Sequence, residues 1–251
     1  MAITDKEQGV WELEQVYNKI NQGGIWSYNA PIQLNLWGAN GPAGGIGQNT
    51  TSTTDYSSPT QIPGTTWSQF ALSKAYSSGV GVKTNGTLWT WGGPGYLLAQ
   101  NNNVKYSSPT QVGTDTTWNK IEVGGYSAFA IKTNGTLWSW GYNPGGFLGL
   151  NDKTKRSSPT QIPGTTWASV FNTFSQTTAA TKTDGTLWMW GNGAYGSLGA
   201  NLTGYRSSPI QVGTDTNWRI DYYIGASPVH SLASKTDGTL WGWGWNRRGA
   251  L

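Results

Sequence analysis

Large apolar residues alternate with small or polar ones in short segments of the chain, a pattern that predicts β-strands. In the segment 137–141, Trp138 and Trp140 share one face of a strand, while Leu137 and Ser139 share the other. Three more segments of strand length follow, at 157–162, 166–170 and 178–182. This part of the chain therefore predicts four short strands with polar or glycine-rich connections between them.

The same four-strand pattern recurs with a period of about fifty residues, and three sequence markers keep one phase. The triplet Ser-Ser-Pro begins at Ser57, Ser107, Ser157 and Ser207. A tryptophan follows each triplet, at Trp67, Trp118, Trp167 and Trp218. The tetrad Gly-Thr-Leu-Trp begins at Gly86, Gly135, Gly185 and Gly238. A repeat of this length predicts a stack of similar structural units.

Each tetrad is preceded by Asn or Asp, and Asn-Gly or Asp-Gly between two strands is a strong hairpin signal. We therefore expect a type I′ turn at each copy, with positive φ at both central residues. Four short strands in a fifty-residue period are typical of a β-propeller blade, so the predicted fold class is all-β. Each Leu-Trp strand has a bulky face with two tryptophans and a smaller opposite face, and we expect these two faces to let adjacent blades interlock.

The repeat covers 34–251 as four full copies with terminal half-copies at Leu36-Trp37-Gly38 and Leu240–Gly244. Two arrangements stay open: further blades or a partner complete the ring, or the terminal half-copies join to close a small ring. Residues 1–33 lie outside the repeat. Their apolar residues at helical spacing, followed by two glycines, predict a short helical segment.

Composition agrees with a compact fold, because only 11% of residues are charged while sixteen are tryptophan. Large aromatic side chains supply apolar area for a core, which disordered chains lack. The net charge of +4 is spread thinly, and without a basic patch we expect no nucleic-acid binding. The chain has no cysteine and no apolar stretch long enough to span a bilayer, so we expect no membrane insertion.

The inventory of reactive side chains argues against an enzyme. His230 is the single histidine, which limits histidine-based metal sites and catalytic triads. Asp184 and Asp237 lie in the predicted turns, where turn formation explains them. The glycine-rich loops lack the Gly-Lys-Ser/Thr of a phosphate-binding loop. We therefore predict no catalytic, cofactor-binding or metal-binding residue and no cofactor.

The pattern Gly-Thr-Leu-Trp-x-Trp-Gly, a loop ending in Leu-Gly, and then Ser-Ser-Pro-x-Gln-Val/Ile resembles the RCC1 repeat. It stands here at 135–141, Leu148-Gly149 and 157–162. The resemblance covers about 34–251 and implies a β-propeller, usually of seven blades. Eukaryotic RCC1 proteins act as nucleotide-exchange factors for a small GTPase and bind chromatin. No segment of this sequence matches an exchange-factor wedge or a basic chromatin-binding tail.

The N-terminal stretch 9–13, followed by 24–26, resembles short segments of bacteriophage and marine-virus structural proteins. The resemblance favours a non-enzymatic virion structural protein: a tail-fibre, tail-associated or head-decorating component serving host attachment or particle stabilisation. It would be made in the host cytoplasm without a signal peptide and be oligomeric in the assembly. Predicted contacts with other virion proteins are Trp11, Leu13, Tyr17 and Trp26. The alternative is a terminal helix that packs on its own propeller.

The loops after the Leu-Trp strands vary most between copies, and such loops on a rigid scaffold often carry recognition. Tyr96, Tyr142 and Tyr195 are therefore candidate receptor-facing residues for a host surface glycan or protein. Alternatively, these tyrosines cover neighbouring blades. The alternative function is an intracellular RCC1-like regulatory protein that binds a small GTPase or chromatin. Polysaccharide hydrolysis is a third candidate.

Overall fold

The computed structural model describes residues 33–40, 43–50, 55–73, 75–172, 177–219, 225–226, 229–247 and 249. The described strands are β1 (Asn35–Gly38), β2 (Tyr56–Gln61), β3 (Trp67–Leu72), β4 (Ser78–Lys83), β5 (Leu88–Gly92), β6 (Tyr106–Gln111), β7 (Trp118–Val123), β8 (Ser127–Lys132), β9 (Leu137–Gly141), β10 (Arg156–Gln161), β11 (Trp167–Asn172), β12 (Thr177–Lys182), β13 (Leu187–Gly191), β14 (Arg206–Gln211), β15 (Gly225–Ala226), β16 (His230–Ser234) and β17 (Leu240–Gly244). Two short 3-10 helices occupy Gly95–Leu98 and Ala194–Gly196.

The strands form a series of antiparallel sheets, each built from strands that follow one another in the chain. Three sheets are complete four-stranded blades: β3–β6, β7–β10 and β11–β14, called blades 2, 3 and 4. Blade 1 contains β1 and β2, and blade 5 contains β15, β16 and β17. The prediction of an all-β propeller with four-stranded blades is confirmed. The predicted N-terminal helical segment lies outside the described residues.

Strand register shows how the two partial blades correspond to the complete ones. Gly38 pairs with Tyr56 as Gly92 pairs with Tyr106, so Trp37 takes the position of Trp91, the second tryptophan of the Leu-Trp strand. β1 and β17 thus both hold the third position of a blade. In the described part of the chain they belong to separate sheets, and no strand pairing joins them.

Adjacent blades interlock through opposite faces of their Leu-Trp strands, as their alternation predicts. Leu137 of blade 3 packs in one buried cluster with Ala180 and Trp190 of blade 4. The Nε1 of Trp190 donates a hydrogen bond of 2.9 Å to the carbonyl oxygen of Phe147 in blade 3. Equivalent bonds run from Trp91 to Gly45, from Trp140 to Leu97 and from Trp243 to Ser197. The tryptophans therefore form the core between blades.

The hairpin before each Leu-Trp strand differs from the predicted type I′ turn. Gly135 has φ of +76°, but Asn134 does not have positive φ, and Gly135 N–H donates to the carbonyl of Lys132. These features indicate a type I turn followed by a glycine bulge. Asn134 Oδ1 instead accepts hydrogen bonds from the N–H and the hydroxyl of Thr136. Asn134 makes these hydrogen bonds without positive φ, so they are compatible with a type I turn.

The same hairpin anchors a tryptophan and a lysine. Thr136 Oγ1 accepts a 3.0 Å hydrogen bond from Trp138 Nε1. Lys132 Nζ lies 4.6 Å from the ring centroid of Trp118 and 3.9 Å from that of Trp138, a cation–π arrangement. Equivalent lysines lie over tryptophan pairs in the other hairpins, at Lys83, Lys182 and Lys235. One end of the propeller is therefore built from nearly identical turns with the same hydrogen bonds and cation–π contacts.

Candidate functional site

The opposite end of the propeller is formed by longer and more variable loops. The loop 93–105 follows β5 in blade 2, and the loop 142–155 follows β9 in blade 3. Shorter connections at the same end join β3 to β4 and β7 to β8. Because each blade repeats one topology, these loops from neighbouring blades lie side by side.

A buried asparagine holds the loop 142–155 in shape. Asn143 is fully buried, and its Nδ2 donates to the carbonyl oxygens of Asp152 and Thr154 at 3.0 and 3.2 Å. Its Oδ1 accepts from the N–H of Leu148 at 3.0 Å. Asn40 is bonded in the same manner within blade 1. Internal hydrogen bonding of this kind gives a polar loop a defined conformation, which a recognition surface needs.

Four tyrosines from these loops lie together, and we call them the tyrosine cluster: Tyr76, Tyr96, Tyr126 and Tyr142. The ring centroids of Tyr96 and Tyr142 are 5.8 Å apart, and those of Tyr142 and Tyr126 are 6.2 Å apart. Tyr126 meets Tyr76 edge to face at 5.5 Å. Two members come from blade 2 and two from blade 3, so the cluster bridges the boundary between blades.

The cluster is half-buried in its middle and open at its rim. Tyr76 and Tyr142 are about two-fifths exposed, whereas Tyr96 and Tyr126 are more enclosed. Burial raises the pKa of Tyr96 above its ordinary value, and a hydrogen bond with the Tyr76 side chain raises it further. The shift leaves the Tyr96 phenol uncharged at neutral pH, as tyrosine ordinarily is. The cluster offers flat apolar rings together with neutral hydroxyl groups that donate and accept hydrogen bonds.

An open cleft adjoins the cluster at Tyr76. It has a volume of about 260 Å³ and lies between blade 1 and blade 2. Leu36, Trp37, Leu72 and Ser73 line it beside Tyr76. Trp37 is 64% exposed, unlike its buried equivalents in the complete blades. The cleft and the cluster together form an aromatic surface large enough to receive side chains of a partner.

The three tyrosines predicted as receptor-facing residues lie in two different places in the structure. Tyr96 and Tyr142 come together in the cluster, where each covers a ring of the neighbouring blade. Tyr195 lies elsewhere and stacks on Trp245 at 5.2 Å, with 22° between the rings. Their role as receptor-facing residues stays a prediction. The predicted assembly contacts Trp11, Leu13, Tyr17 and Trp26 lie outside the described residues.

Tyr76 and Tyr126 are not among the predicted site residues. The repeat gives no signal for them, because Ser77 rather than Tyr76 holds the position in blade 2 that Tyr126 holds in blade 3, directly before the second strand of the blade. The residues beside Tyr76 and Tyr126 in the sequence form no pattern that predicts exposure, so the sequence alone does not indicate that the two rings are in contact. The connection of two loops across a blade boundary arises only when the blades pack.

The acidic side chains of the described residues are spread out rather than clustered. No group of three or more His, Cys, Asp and Glu side chains among those residues is placed to hold a metal ion. Asp115 lies 2.7 Å from Lys132 at the hairpin end. Burial raises the pKa of Asp115, but hydrogen bonds from Lys132 and Thr117 outweigh it and lower the pKa to about 2. No helix in the described ranges is long and apolar enough to cross a membrane.

Comparison with known sequence families identifies two segments. Residues 134–171 match a family model described as the regulator of chromosome condensation (RCC1) repeat, and residues 224–250 match a second model with that description. No curated protein sequence matches the chain. The segment 134–171 begins in the hairpin of blade 3 and ends in the first strand of blade 4, as the period of the repeat requires.

Comparison with solved structures identifies proteins of the same fold. Human WBSCR16 is 22% identical with a TM-score of 0.67, covering 86% of this chain and 57% of that chain. Yeast RCC1 (Prp20), solved bound to Kap60, is 18% identical with a TM-score of 0.68, covering 85% and 52%. Prp20p from Saccharomyces cerevisiae, described with its binding properties to Gsp1p and histones, is 16% identical with a TM-score of 0.69, covering 91% and 57%.

These comparisons overturn the expectation of a virion structural protein located in a virus particle. The matching repeats are RCC1 repeats, and WBSCR16 and Prp20 are human and yeast proteins. The resemblance of the N-terminal segment to viral proteins, on which that expectation depended, finds no support. The chain spans slightly more than half the length of the solved structures that it matches. It contains RCC1 repeats and folds as an RCC1-like β-propeller.

Proposed function

We propose that this protein is a non-enzymatic, intracellular regulatory protein of the RCC1-like kind that binds a small GTPase through the loop end of its propeller. The tyrosine cluster is the observation that carries this proposal. The related fold supports it as well, since the similar yeast protein Prp20p is described by its binding to Gsp1p and histones.

The physical character of the cluster favours a protein partner. Tyrosine is enriched at protein interfaces because one rigid ring buries a large area at a low cost in conformational entropy. Tyr76 and Tyr142 are exposed at the rim while contacts with Tyr126 and Tyr96 hold their rings in place. A preorganised aromatic patch of this kind has the features of an interface hot spot.

The tyrosine cluster itself carries no charged side chain, which favours a protein partner over DNA at this site. Binding to DNA depends on neutralising phosphates with clustered Lys and Arg. Tyrosine side chains carry no charge at neutral pH, so the cluster has no cation to pair with phosphates. Binding should therefore depend on buried aromatic area and vary little with salt.

The test is titration of the full chain against a panel of small GTPases in their nucleotide-free and GDP-bound forms. Tyr142→Ala and Tyr76→Ala should each weaken the binding by about tenfold or more, as expected for hot-spot residues. Tyr195→Ala is the matched control, because Tyr195 is an exposed loop tyrosine outside the cluster. It should leave the affinity unchanged.

Thermal unfolding of each variant checks that the fold is retained. The proposal is wrong if no GTPase binds, or if Tyr195→Ala weakens binding as much as Tyr142→Ala. Binding to nucleosomes or DNA that weakens steeply with salt would instead favour the chromatin alternative. A nucleotide-exchange assay on any GTPase that binds determines whether the protein is also an exchange catalyst.

A further inference from the structure

The lysines of the four hairpins differ in the charges around them. Each lies over a pair of tryptophan rings, and they are Lys83, Lys132, Lys182 and Lys235. Lys132 Nζ lies 2.7 Å from a carboxylate oxygen of Asp115, and Lys235 Nζ lies 2.7 Å from one of Asp215. No described carboxylate lies within ion-pair distance of Lys83 or Lys182. The ion pair therefore alternates from blade to blade.

The alternation arises in the loop that leads to the first tryptophan of each blade. Between the glutamine and that tryptophan, the segments 112–117 and 212–217 contain Val-Gly-Thr-Asp-Thr followed by Thr or Asn. The segments 62–66 and 162–166 read Ile-Pro-Gly-Thr-Thr, which is one residue shorter and contains no acidic residue. Blades 2 and 4 thus keep the lysine but lack the loop carboxylate that pairs with it.

The turn residue then separates Lys83 from Lys182. Hydrogen bonds from Thr186 lower the pKa of Asp184 in the turn of blade 4, and the charge of Lys182 lowers it further. Lys182 therefore has an acidic neighbour. The equivalent turn residue in blade 2 is the neutral Asn85. Of the four hairpin lysines, Lys83 alone has no acidic residue in either its described loop or its turn, and burial lowers its pKa.

Lys83 lies in an open cleft between blades 2 and 3 with a volume of about 500 Å³. Hydroxyl and amide groups from Ser68, Gln69, Thr116 and Asn119 line it as well. Lys83 is the single charged side chain among the described lining residues. The equivalent cleft between blades 4 and 5 is lined by an acid and a base, Asp184 and Arg219. We call the cleft between blades 2 and 3 the Lys83 cleft.

Blade 3 shows how a carboxylate binds a lysine in this position. One oxygen of Asp115 contacts Lys132 Nζ, and the other accepts hydrogen bonds from the N–H and the hydroxyl of Thr117, at 2.8 and 2.6 Å. Lys132 Nζ lies 3.9 Å from the ring centroid of Trp138 while it makes this pair. Lys83 Nζ lies 4.0 Å from that of Trp89. The ammonium group of Lys83 is therefore held in the position from which Lys132 binds a carboxylate.

We propose that the Lys83 cleft binds an acidic side chain of a partner protein, whose carboxylate pairs with Lys83 as that of Asp115 pairs with Lys132. Charge complementarity selects this partner, because the described lining offers one cation and only neutral groups beside it. The hydroxyl and amide groups can donate hydrogen bonds to the second carboxylate oxygen. The open, polar cleft fits a polar loop that carries Asp or Glu. It lies at the hairpin end, away from the tyrosine cluster, and is a second interaction surface.

The experiment uses the full chain and a synthetic peptide of residues 112–117, Val-Gly-Thr-Asp-Thr-Thr, with blocked ends. Nuclear magnetic resonance of ¹³C-labelled lysine follows the ε-methylene group of Lys83 during titration. The signal should shift to saturation at millimolar peptide, and the pKa of Lys83 should rise because a carboxylate favours the charged form. A peptide with Asn in place of Asp should bind about tenfold more weakly, because it lacks the charged acceptor.

A loop replacement in the protein locates the site. Exchanging 62–66 for Val-Gly-Thr-Asp-Thr-Thr gives blade 2 the loop of blade 3, so an internal carboxylate should occupy Lys83 and abolish peptide binding. The matched control is the same replacement with Asn for Asp, which should keep the binding. Thermal unfolding checks that both variants retain the fold.

Point variants supply a second measurement. Lys83→Met should reduce the peptide affinity by about tenfold, because it removes the cation. Lys132→Met is its control, since Lys132 is already paired with Asp115, and it should leave the affinity unchanged. Tyr142→Ala should also leave it unchanged, which separates this proposal from the function of the tyrosine cluster.

Four results would overturn the proposal. The Asp and Asn peptides bind equally, or the Asp-containing loop leaves peptide binding intact. Inorganic phosphate saturates the Lys83 signal at lower concentration than the peptide, which would make the cleft a phosphate site. The pKa of Lys83 without peptide lies at or above its ordinary value of 10.5, which would show that a carboxylate of this chain already occupies the position.

Discussion

Blades 4 and 5 contain the same hairpin in different surroundings. In blade 4, Asp184 accepts from Thr186, and Thr186 accepts from Trp188, at 2.7 and 2.9 Å. In blade 5, Thr239 makes the same two bonds to Asp237 and Trp241, at the same distances. Yet Leu187 is completely buried, whereas Leu240 is 70% exposed.

The comparison separates local from tertiary contributions to the fold. The turn, its threonine and its tryptophan form in both blades because all their partners lie within a few residues. Burial of the leucine requires a fourth strand and a following blade. Of these two blades, only blade 4 has both in the described structure. The same hairpin should therefore contribute more to the free energy of unfolding in blade 4 than in blade 5. Substitutions at equivalent positions of the two blades can measure the difference.

The largest difference is expected for the two leucines. Leu187→Ala should lower the free energy of unfolding by about 4 kcal/mol, because it leaves a cavity between packed blades. Leu240→Ala should lower it by less than about 0.5 kcal/mol, because its side chain is mostly in water already. Urea denaturation of both variants measures this, and equal losses would show that blade 5 is covered in solution.

A smaller difference is expected for the turn glycines. Gly185 and Gly238 have φ of +77° and +87°, so alanine should cost each about 1 kcal/mol in backbone strain. A Cβ on Gly185 would also lie 2.0 Å from the carbonyl oxygen of Thr216 in the next blade, whereas one on Gly238 meets nothing within 4 Å. Gly185→Ala should therefore cost about 1 to 3 kcal/mol more. Thermal unfolding of both variants tests this. Equal losses of stability would mean that the backbone at Thr216 moves to accommodate the added Cβ.

The smallest effect concerns the ion pair between Asp115 and Lys132 in blade 3. The folded-state pKa of Asp115, about 2, is below its ordinary value of 3.8. The unfolded chain therefore binds the proton more readily, and the stabilisation is present above pH 4 and lost as pH falls toward 2. The Asp115 side chain is 36% exposed, so solvent screening reduces the contribution to about 0.5 kcal/mol.

Stability of Asp115→Asn and the parent protein, measured from pH 5 to pH 2, isolates this contribution. The variant should show a slightly smaller fall in stability across the acid range. The counterpart Asp215→Asn in blade 5 provides the comparison, because Asp215 pairs with Lys235 at the same 2.7 Å but is 50% exposed. A full-sized fall in Asp115→Asn would show that other carboxylates carry the acid sensitivity.

Sequence alone determined the repeat, the strands and the propeller, because alternation, turn residues and period are local features that four copies reinforce. It also placed Tyr96 and Tyr142 in loops at one end of the blades. It did not predict the turn type, since hydrogen bonds from Thr136 to Asn134 favour a type I turn with a bulge. The virion assignment was wrong because it depended on a short N-terminal resemblance outside the repeat.

Tertiary structure alone decided which copies of a repeated motif are buried or in contact with one another. Tyr76 and Tyr126 meet because packing of blades 2 and 3 brings two loops together. Strand register, rather than sequence spacing, gives Trp37 the position of the buried Trp91. Leu240 and Leu187 have the same neighbours in sequence, but burial depends on residues from other strands. A periodic sequence specifies each unit, whereas exposure depends on what is packed against that unit.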